Sequence, residues 1–220
     1  ILGPINQSHK TNKGINLIGK SRRSIKKELL TRKSNLLSFY NDKFENFERL
    51  EKLINKWEDH IIKNPGLDVS AFFISLNDQV YAEIKSDIKL SAASSIKVPI
   101  LIILLRMLEK EEIIWNEKLI LSDDVIGGGS GWMAYQEIGE IFPVYEVASE
   151  MIRVSDNTAT NLLIKRLGGI KIVNQKFKEI GLNNTQINNY LPDLDGTNLT
   201  STKDLSCLLY TSPSPRDGTK

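Results

Sequence analysis

Apolar residues follow a helical period in one early segment of the chain and a period of two in the next. The helical spacing predicts an amphipathic helix over residues 47–62, and it is formed by Leu50, Leu53, Ile54 and Trp57. An Asn-Pro-Gly sequence at 64–66 ends this helix. Segments 68–76 and 79–84 are rich in β-forming residues and meet at Asn77-Asp78, which predicts a β-hairpin.

The later part of the chain predicts a block of helices. Residues 91–108 are apolar on nearly every side, as expected of a helix buried in the middle of a domain. A loop with the sequence GGGSG lies within residues 122–131. Three more helical segments follow, two of which end at glycines, and they cover residues 144–154, 158–167 and 170–180. A helix, a hairpin and a helical block together predict an α+β fold.

The two ends of the chain differ from its middle. Residues 1–46 are rich in Lys, Ser and Asn, which predicts a basic arm or linker with one helix at 24–40. Residues 200–209 begin like a capped amphipathic helix, but Pro213 and Pro215 predict that it breaks before it buries anything.

The string CLLYTSPSPRD resembles the translation of a sequencing adapter, so we expect a non-native tail over residues 207–220. A native Pro-rich tail is the alternative. The expected domains are therefore the arm, a partial globular domain over 47–206, and this tail.

Composition and charge exclude several classes of protein. With 40% apolar residues, 220 residues suffice for one domain with a real core. The net charge is +2, but residues 1–46 hold ten Lys and Arg against three Asp and Glu, while the rest holds nineteen against twenty-four. These basic residues have no interleaved aromatics, so we expect no nucleic-acid ligand.

One Cys and two His exclude a zinc site and a disulfide framework, and we expect neither a metal nor a cofactor. The longest apolar run, 98–105, is far shorter than the roughly 20 residues that span a bilayer. No signal peptide is recognisable, and because the chain begins at Ile1 an export signal could precede it.

The first candidate for chemistry is Ser94-Ser95-Ile96-Lys97 at the start of the buried helix. Residues three apart share a helix face, which brings the Lys97 amine beside Ser94 Oγ, and N–H groups of the first turn favour an oxyanion. Desolvation should lower the pKa of Lys97 and allow it to act as a base. Ser95 is not the candidate nucleophile, because the residue three positions after it is Val98 rather than Lys. The alternative role for a Ser at the start of a helix is that of a cap.

The second candidate is Ser155-Asp156-Asn157, 61 residues after Ser94. By itself this string is typical of a helix cap, and a predicted helix does follow it. The combination of both strings, with a helical block between them, is much rarer than either alone.

An S-x-x-K followed at this distance by S-D-N resembles the class A β-lactamases and their penicillin-binding relatives. The resemblance extends from about Phe47 to Leu205 and implies a helical domain beside an antiparallel sheet, with the C-terminal strands missing. It implies that Ser94 is the acylated nucleophile, Lys97 the proton acceptor and Ser155 the relay of a proton to the leaving nitrogen.

The resemblance also assigns residues around this group. Asn157 is expected to hold the substrate's amide side chain, and Asp156 to brace the loop. The GGGSG loop borders the cleft, so that Trp132 or Tyr135 forms an aromatic wall or, alternatively, packs in the core. A nucleotide P-loop is excluded because no G-K-[ST] follows the glycines.

Two departures from the family concern the later steps. Residues 186–205, which take the place of the family's loop, lack the E-x-x-L-N string whose glutamate activates the deacylating water. Asp193 and Asp195 are the nearby carboxylates, and turn roles are expected for them. The K-T-G strand, which supplies an oxyanion N–H, is also absent. We therefore expect a fragment that does not fold into a stable, active enzyme.

The resemblance predicts a monomeric extracytoplasmic or periplasmic serine hydrolase that opens β-lactam rings. A D,D-peptidase or penicillin-binding protein that acts on peptidoglycan stem peptides is the first alternative. A non-catalytic cell-wall-binding module is the second, against which the intact Ser94, Lys97, Ser155 and Asn157 argue.

Overall fold

A computed structural model describes residues 47–211, with side chains as far as Leu208. These residues contain six α-helices and seven short strands. The predicted helix at 24–40, the rest of the arm and residues 212–220 lie outside the described residues. The helices are α1 Glu51–Lys63, α2 Lys97–Glu109, α3 Val144–Arg153, α4 Asn157–Arg166, α5 Gly169–Glu179 and α6 Thr202–Thr211. The strands are β1 Glu48–Arg49, β2 Ala71–Ser75, β3 Val80–Ile84, β4 Leu90–Ser91, β5 Lys118–Ile120, β6 Ile141–Pro143 and β7 Leu199–Thr200.

The predicted hairpin is present and forms the centre of the largest sheet. Strands β2 and β3 are antiparallel, and the pair of Ser75 with Val80 closes a four-residue turn. Strand β1 adds to the other edge of β3 in parallel, with Glu48 opposite Val80. The prediction that a helix begins at residue 47 is therefore wrong, because backbone bonds to β3 hold residues 48–50 extended and α1 begins at Glu51.

Helix α2 lies at the centre of the fold, as its apolar sequence predicts. It packs against α4 and α5 and also against α3 and α6. Its buried residues are Lys97, Pro99, Ile100, Ile103 and Leu104. The helix starts later than expected, because Ser91 belongs to strand β4 and a 3₁₀ turn, Ala93–Ile96, precedes Lys97. This turn contains the candidate nucleophile.

The helical block around α2 agrees with the sequence pattern. Helices α3, α4 and α5 lie within a residue of their predicted bounds. Gly168 follows α4 at a φ of 105° and Gly181 follows α5 at 86°, a backbone region that favours glycine. With a small sheet beside the helices, the architecture is α+β, as predicted.

Besides β1, four strands are missing from the sequence prediction because each has only two or three residues, too few for a period to be recognised. Strands β5 and β6 form one antiparallel pair, and β4 and β7 form another, in which Leu90 lies opposite Thr200. The β4–β7 pair leads directly into the turn that contains Ser94.

The last helix corrects an expectation about the C-terminal segment. Residue 200 belongs to β7, and α6 runs from Thr202 to Thr211. The prediction that the helix breaks before it buries any residue is wrong. Cys207 and Leu208 are buried, and Leu208 joins the main apolar core. Contacts with α2 and β2 account for this burial.

Candidate active site

The turn that contains Ser94 is held by a hydrogen bond to a neighbouring segment and by one from its own Ser95. Ala92 N–H donates to the carbonyl of Asn198 at 2.7 Å, which ties the turn to the β7 segment. Ala93 has a φ of 43°, an uncommon conformation for a residue with a Cβ. Ser94 is exposed, whereas the Ser95 hydroxyl donates to Ala92 O at 2.5 Å. Of the two serines, Ser94 therefore has the accessible hydroxyl.

The structure brings the Lys97 amine to Ser155 and Ser94, as the two motifs predict. Lys97 Nζ donates to Ser155 Oγ at 2.8 Å and to Ser155 O at 2.5 Å, and it lies 3.5 Å from Ser94 Oγ. The Ser155 hydroxyl donates to Ser94 Oγ at 3.0 Å. Ser155 therefore bridges the amine and Ser94, a connection that spacing within one helix does not reveal.

Burial of Lys97 favours its neutral form. Only 3% of the residue is exposed. Desolvation lowers the pKa of Lys97 to about 8, and the negative charge of Asp156 opposes this shift. At pH 7 roughly a tenth of the amines are then neutral, a useful fraction for a general base.

The S-D-N turn is fixed by the buried carboxylate of Asp156, which is 1% exposed. One oxygen caps α4 by accepting from Ala159 N–H at 2.8 Å. The other accepts from the N–H groups of Trp132 and Met133 at 2.7 and 2.9 Å. The prediction that Asp156 braces the loop is confirmed, and the cap role holds as well.

Asn157 lies between the amine and the glycine-containing loop. Its Oδ1 accepts from Lys97 Nζ at 3.0 Å, and its Nδ2 donates to Gly128 O at 2.8 Å. One amide hydrogen beyond that bond is available to another acceptor. Its predicted contact with a substrate amide stays a prediction.

Two glycines allow the loop to approach the S-D-N turn and the segment after α5. A Cβ on Gly131 would collide with the Asp156 carboxylate, and the φ of 96° also favours glycine there. A Cβ on Gly127 would collide with the backbone oxygen of Leu191. The glycines thus serve close packing around the site.

Trp132 is partly buried and packs against the apolar core, which is one of the two roles expected of it. Its other expected role, as a wall of the cleft in the substrate site, stays a prediction. Its indole N–H donates to Glu150 Oε2 at 2.7 Å, and its ring meets the edge of Phe142 with centroids 6.0 Å apart. Tyr135 is 80% exposed.

The carboxylate of Asp193 takes part in the turn that contains it. Its oxygens accept from Thr197 Oγ1 at 2.9 Å and from Asn198 N–H at 2.5 Å. Burial raises the pKa of Asp193, but these hydrogen bonds outweigh it and hold the pKa below its ordinary value. The turn role expected for Asp193 is observed, and Asp195 is exposed.

Three buried polar residues near the site were not singled out from the sequence. Thr158 exchanges hydrogen bonds with the backbone of Gly127, and Asn161 does so with the backbone of Leu191. Glu150 binds the Trp132 indole. For the first two, a spacing of three residues on one predicted helix was an available signal, because it puts both side chains on the same face.

Two features of the described residues concern metal ions and membranes. Between residues 47 and 211, no three His, Cys, Asp or Glu side chains are placed to hold a metal ion. Within the same part of the chain, every helix is too short or too polar to cross a membrane.

Comparison with known proteins gives a family match over most of the described residues. The family model described as "Beta-lactamase enzyme family" matches residues 49–213. Beta-lactamase BRO-1 of Moraxella catarrhalis is 28% identical over 145 residues, which are 64% of this chain and 44% of that protein. Beta-lactamase ROB-1 of Haemophilus influenzae is 33% identical over 69 residues, 31% and 23% of the two chains. The chain spans less than half the length of these curated relatives.

Solved structures agree with this match. PBP-A has a TM-score of 0.74 at 36% identity, over 78% of this chain and 66% of that chain. A β-lactamase from Sphaerobacter thermophilus has a TM-score of 0.58 at 25% identity, over 66% and 56%. An ancestral class A β-lactamase, at 18% identity, shares the fold with a TM-score of 0.63 over 72% and 63%.

Proposed function

Because the chain belongs to the beta-lactamase enzyme family, we propose that it comes from a serine hydrolase in which β-lactams acylate Ser94. The observation behind the proposal is the contact of Ser155 Oγ with both Ser94 Oγ, at 3.0 Å, and Lys97 Nζ, at 2.8 Å. A hydroxyl in contact with a buried amine of lowered pKa is the usual arrangement of an activated nucleophile.

In the acylation step, Ser94 Oγ bonds to the carbonyl carbon of the lactam and the C–N bond of the ring breaks. When Lys97 is neutral, both hydrogen bonds run in the opposite direction, so that Ser94 donates to Ser155 and Ser155 donates to Lys97. The proton of Ser94 then passes through the Ser155 hydroxyl to Lys97, because both of these contacts are shorter than the 3.5 Å from Ser94 Oγ to Lys97 Nζ. The proton then returns from Lys97 through Ser155 to the leaving nitrogen. Asn157, with an amide hydrogen to spare, holds the amide side chain of the substrate.

Hydrolysis of the resulting ester needs a base that orients a water molecule. The oxygens of Asp193 are engaged by Thr197 and Asn198, and residues 186–205 contain no E-x-x-L-N glutamate. Both observations favour a long-lived acyl-enzyme and hence the alternative of a D,D-peptidase that penicillin traps. A mutant of the structural neighbour PBP-A has been solved as an acyl-enzyme complex with penicillin G.

Several expectations accompany the proposal. The hydrolase domain includes residues 47–206 and is preceded by the basic arm. Cys207 and Leu208, the first residues of the expected 207–220 tail, are buried with this domain. The protein acts outside the cytoplasm on a β-lactam or a peptidoglycan stem peptide, as a monomer without a metal or cofactor. A non-catalytic wall-binding module would not need the contacts among Ser94, Lys97 and Ser155.

Intact-mass measurement with benzylpenicillin tests the nucleophile. The full-length protein should gain the mass of one penicillin, and its Ser94→Ala variant should gain none. Ser95→Ala is the matched control, because it removes the neighbouring hydroxyl, and it should be acylated like the unchanged protein. An adduct on Ser94→Ala would show that the nucleophile is a different residue. Rapid loss of penicillin without an adduct would mean that a deacylating base has been missed.

A further inference from the structure

Glu150 is a buried carboxylate that the acylation step does not use. It lies in the last turn of α3 and is 7% exposed. Its oxygens accept from Arg153 at 2.8 to 3.1 Å and from Trp132 Nε1 at 2.7 Å. The hydrogen bonds from Arg153 lower the pKa of Glu150, against the effect of burial and with help from Trp132. A buried, ionised carboxylate usually stabilises a fold less than an apolar residue of similar volume would. Stability by itself therefore does not explain why Glu150 is buried here.

Glu150 closes a ring of hydrogen bonds with Trp132 and Asp156, next to Ser155. Its side chain accepts from the Trp132 indole, and Trp132 N–H donates to the Asp156 carboxylate at 2.7 Å. Asp156 N–H in turn donates to the backbone oxygen of Glu150 at 3.1 Å. Ser155 precedes Asp156 along the chain, so the ring fixes the residue that follows it.

Ser155 needs such support because of its backbone. Its φ of 59° is uncommon for a residue with a Cβ, and strain of this kind persists where the surroundings hold it. Its carbonyl and its hydroxyl both accept from Lys97 Nζ, so a shift of the turn would move both groups away from the amine.

Resting on the proposed function, we propose that Glu150 is a positioning residue that acts through Trp132 and Asp156 to hold the Ser155 hydroxyl between Ser94 and Lys97. The essential contact is the bond from the Trp132 indole to the carboxylate. Arg153, whose side chain is 63% exposed, keeps the Glu150 carboxylate charged but is bonded to neither Trp132 nor Asp156. Glu150, Trp132 and Arg153 can each be substituted separately to test this arrangement.

Glu150→Ala and Trp132→Phe remove the two ends of this bond, and Phe keeps an aromatic ring beside Phe142. Both should slow acylation of Ser94 by benzylpenicillin about tenfold to a hundredfold, because misplacement of a reacting group by about 1 Å costs up to 10²-fold. Glu150→Gln keeps an acceptor for the indole and should restore most of the rate. Arg153→Ala is the matched control and should stay within about twofold of the unchanged protein.

A double variant separates positioning from a general structural role. With Ser155→Ala already present, Glu150→Ala should cause no further loss of acylation rate, because the hydroxyl that it positions is gone. Full multiplication of the two losses would overturn the proposal. So would unchanged acylation in a folded Glu150→Ala or Trp132→Phe protein.

Titration of Lys97 by NMR provides a readout that does not require acylation. Loss of the Ser155 acceptors removes hydrogen bonds to the ammonium form, so the pKa of Lys97 should fall in Glu150→Ala and Trp132→Phe but not in Arg153→Ala. If penicillin never acylates the unchanged protein, the proposed function fails while this titration still tests the position of Ser155. An unchanged pKa of Lys97 in both variants would overturn the positioning role.

Discussion

Two segments lie beside the Ser94 turn, and they use their carboxylates differently. In the S-D-N turn, the buried Asp156 binds three backbone N–H groups and so fixes the segment that places Ser155 against Lys97. In the 188–198 segment, Asp193 binds Thr197 and Asn198 of its own turn. The first segment positions groups suited to acylation, whereas the second offers a carboxylate that is already engaged. This difference is the structural basis for expecting a fast first step and a slow second one.

The comparison predicts that the two carboxylates contribute unequally to stability. Asp156→Ala leaves three N–H groups without their acceptor in a buried place, so the free energy of unfolding should fall by about 3 kcal/mol or more. Asp193→Ala affects a partly exposed turn and should cost about 1 kcal/mol. Urea denaturation of both variants at pH 7 provides the measurement. Equal losses would remove the distinction between the segments.

The pH dependence of acylation sharpens the assignment of Lys97. Its neutral form accepts the proton, and its pKa is lowered to about 8, so the acylation rate should rise as the pH increases through 8 and then level off. Between pH 7 and the plateau the gain should be about tenfold. Stopped-flow measurement of the penicillin adduct from pH 6 to 9.5 tests this. A rate that is flat over that range would exclude Lys97 as the titrating base.

The smallest effect is expected for deacylation in Asp193→Asn. Because the carboxylate is bonded within its own turn, loss of its charge should change the lifetime of the acyl-enzyme by less than about twofold. The decay of the adduct mass after removal of free penicillin gives this lifetime. A lifetime that becomes tenfold longer would identify Asp193 as the missing base after all.

Local sequence patterns predict much of the fold. The period of two in 68–84 and the helical spacing in 144–180 predict elements that the structure contains, because side-chain period depends on the backbone conformation alone. Local sequence also predicts Asp156 as a helix cap, and it predicts that helices end at Gly168 and Gly181. Strand β1 and the β4–β7 pair escape this reasoning, because a two-residue strand exists only through the partner that it meets.

The candidate site divides in the same way. Sequence by itself determined which residues are candidates for chemistry, since Ser94 and Lys97 lie one turn apart and Ser155 belongs to a recognisable motif. Tertiary structure decided how they connect: the amine lies closer to Ser155 than to Ser94, and Trp132 turns toward Glu150. Hydrogen bonds between segments dozens of residues apart depend on how the helices pack, and no local pattern encodes that geometry.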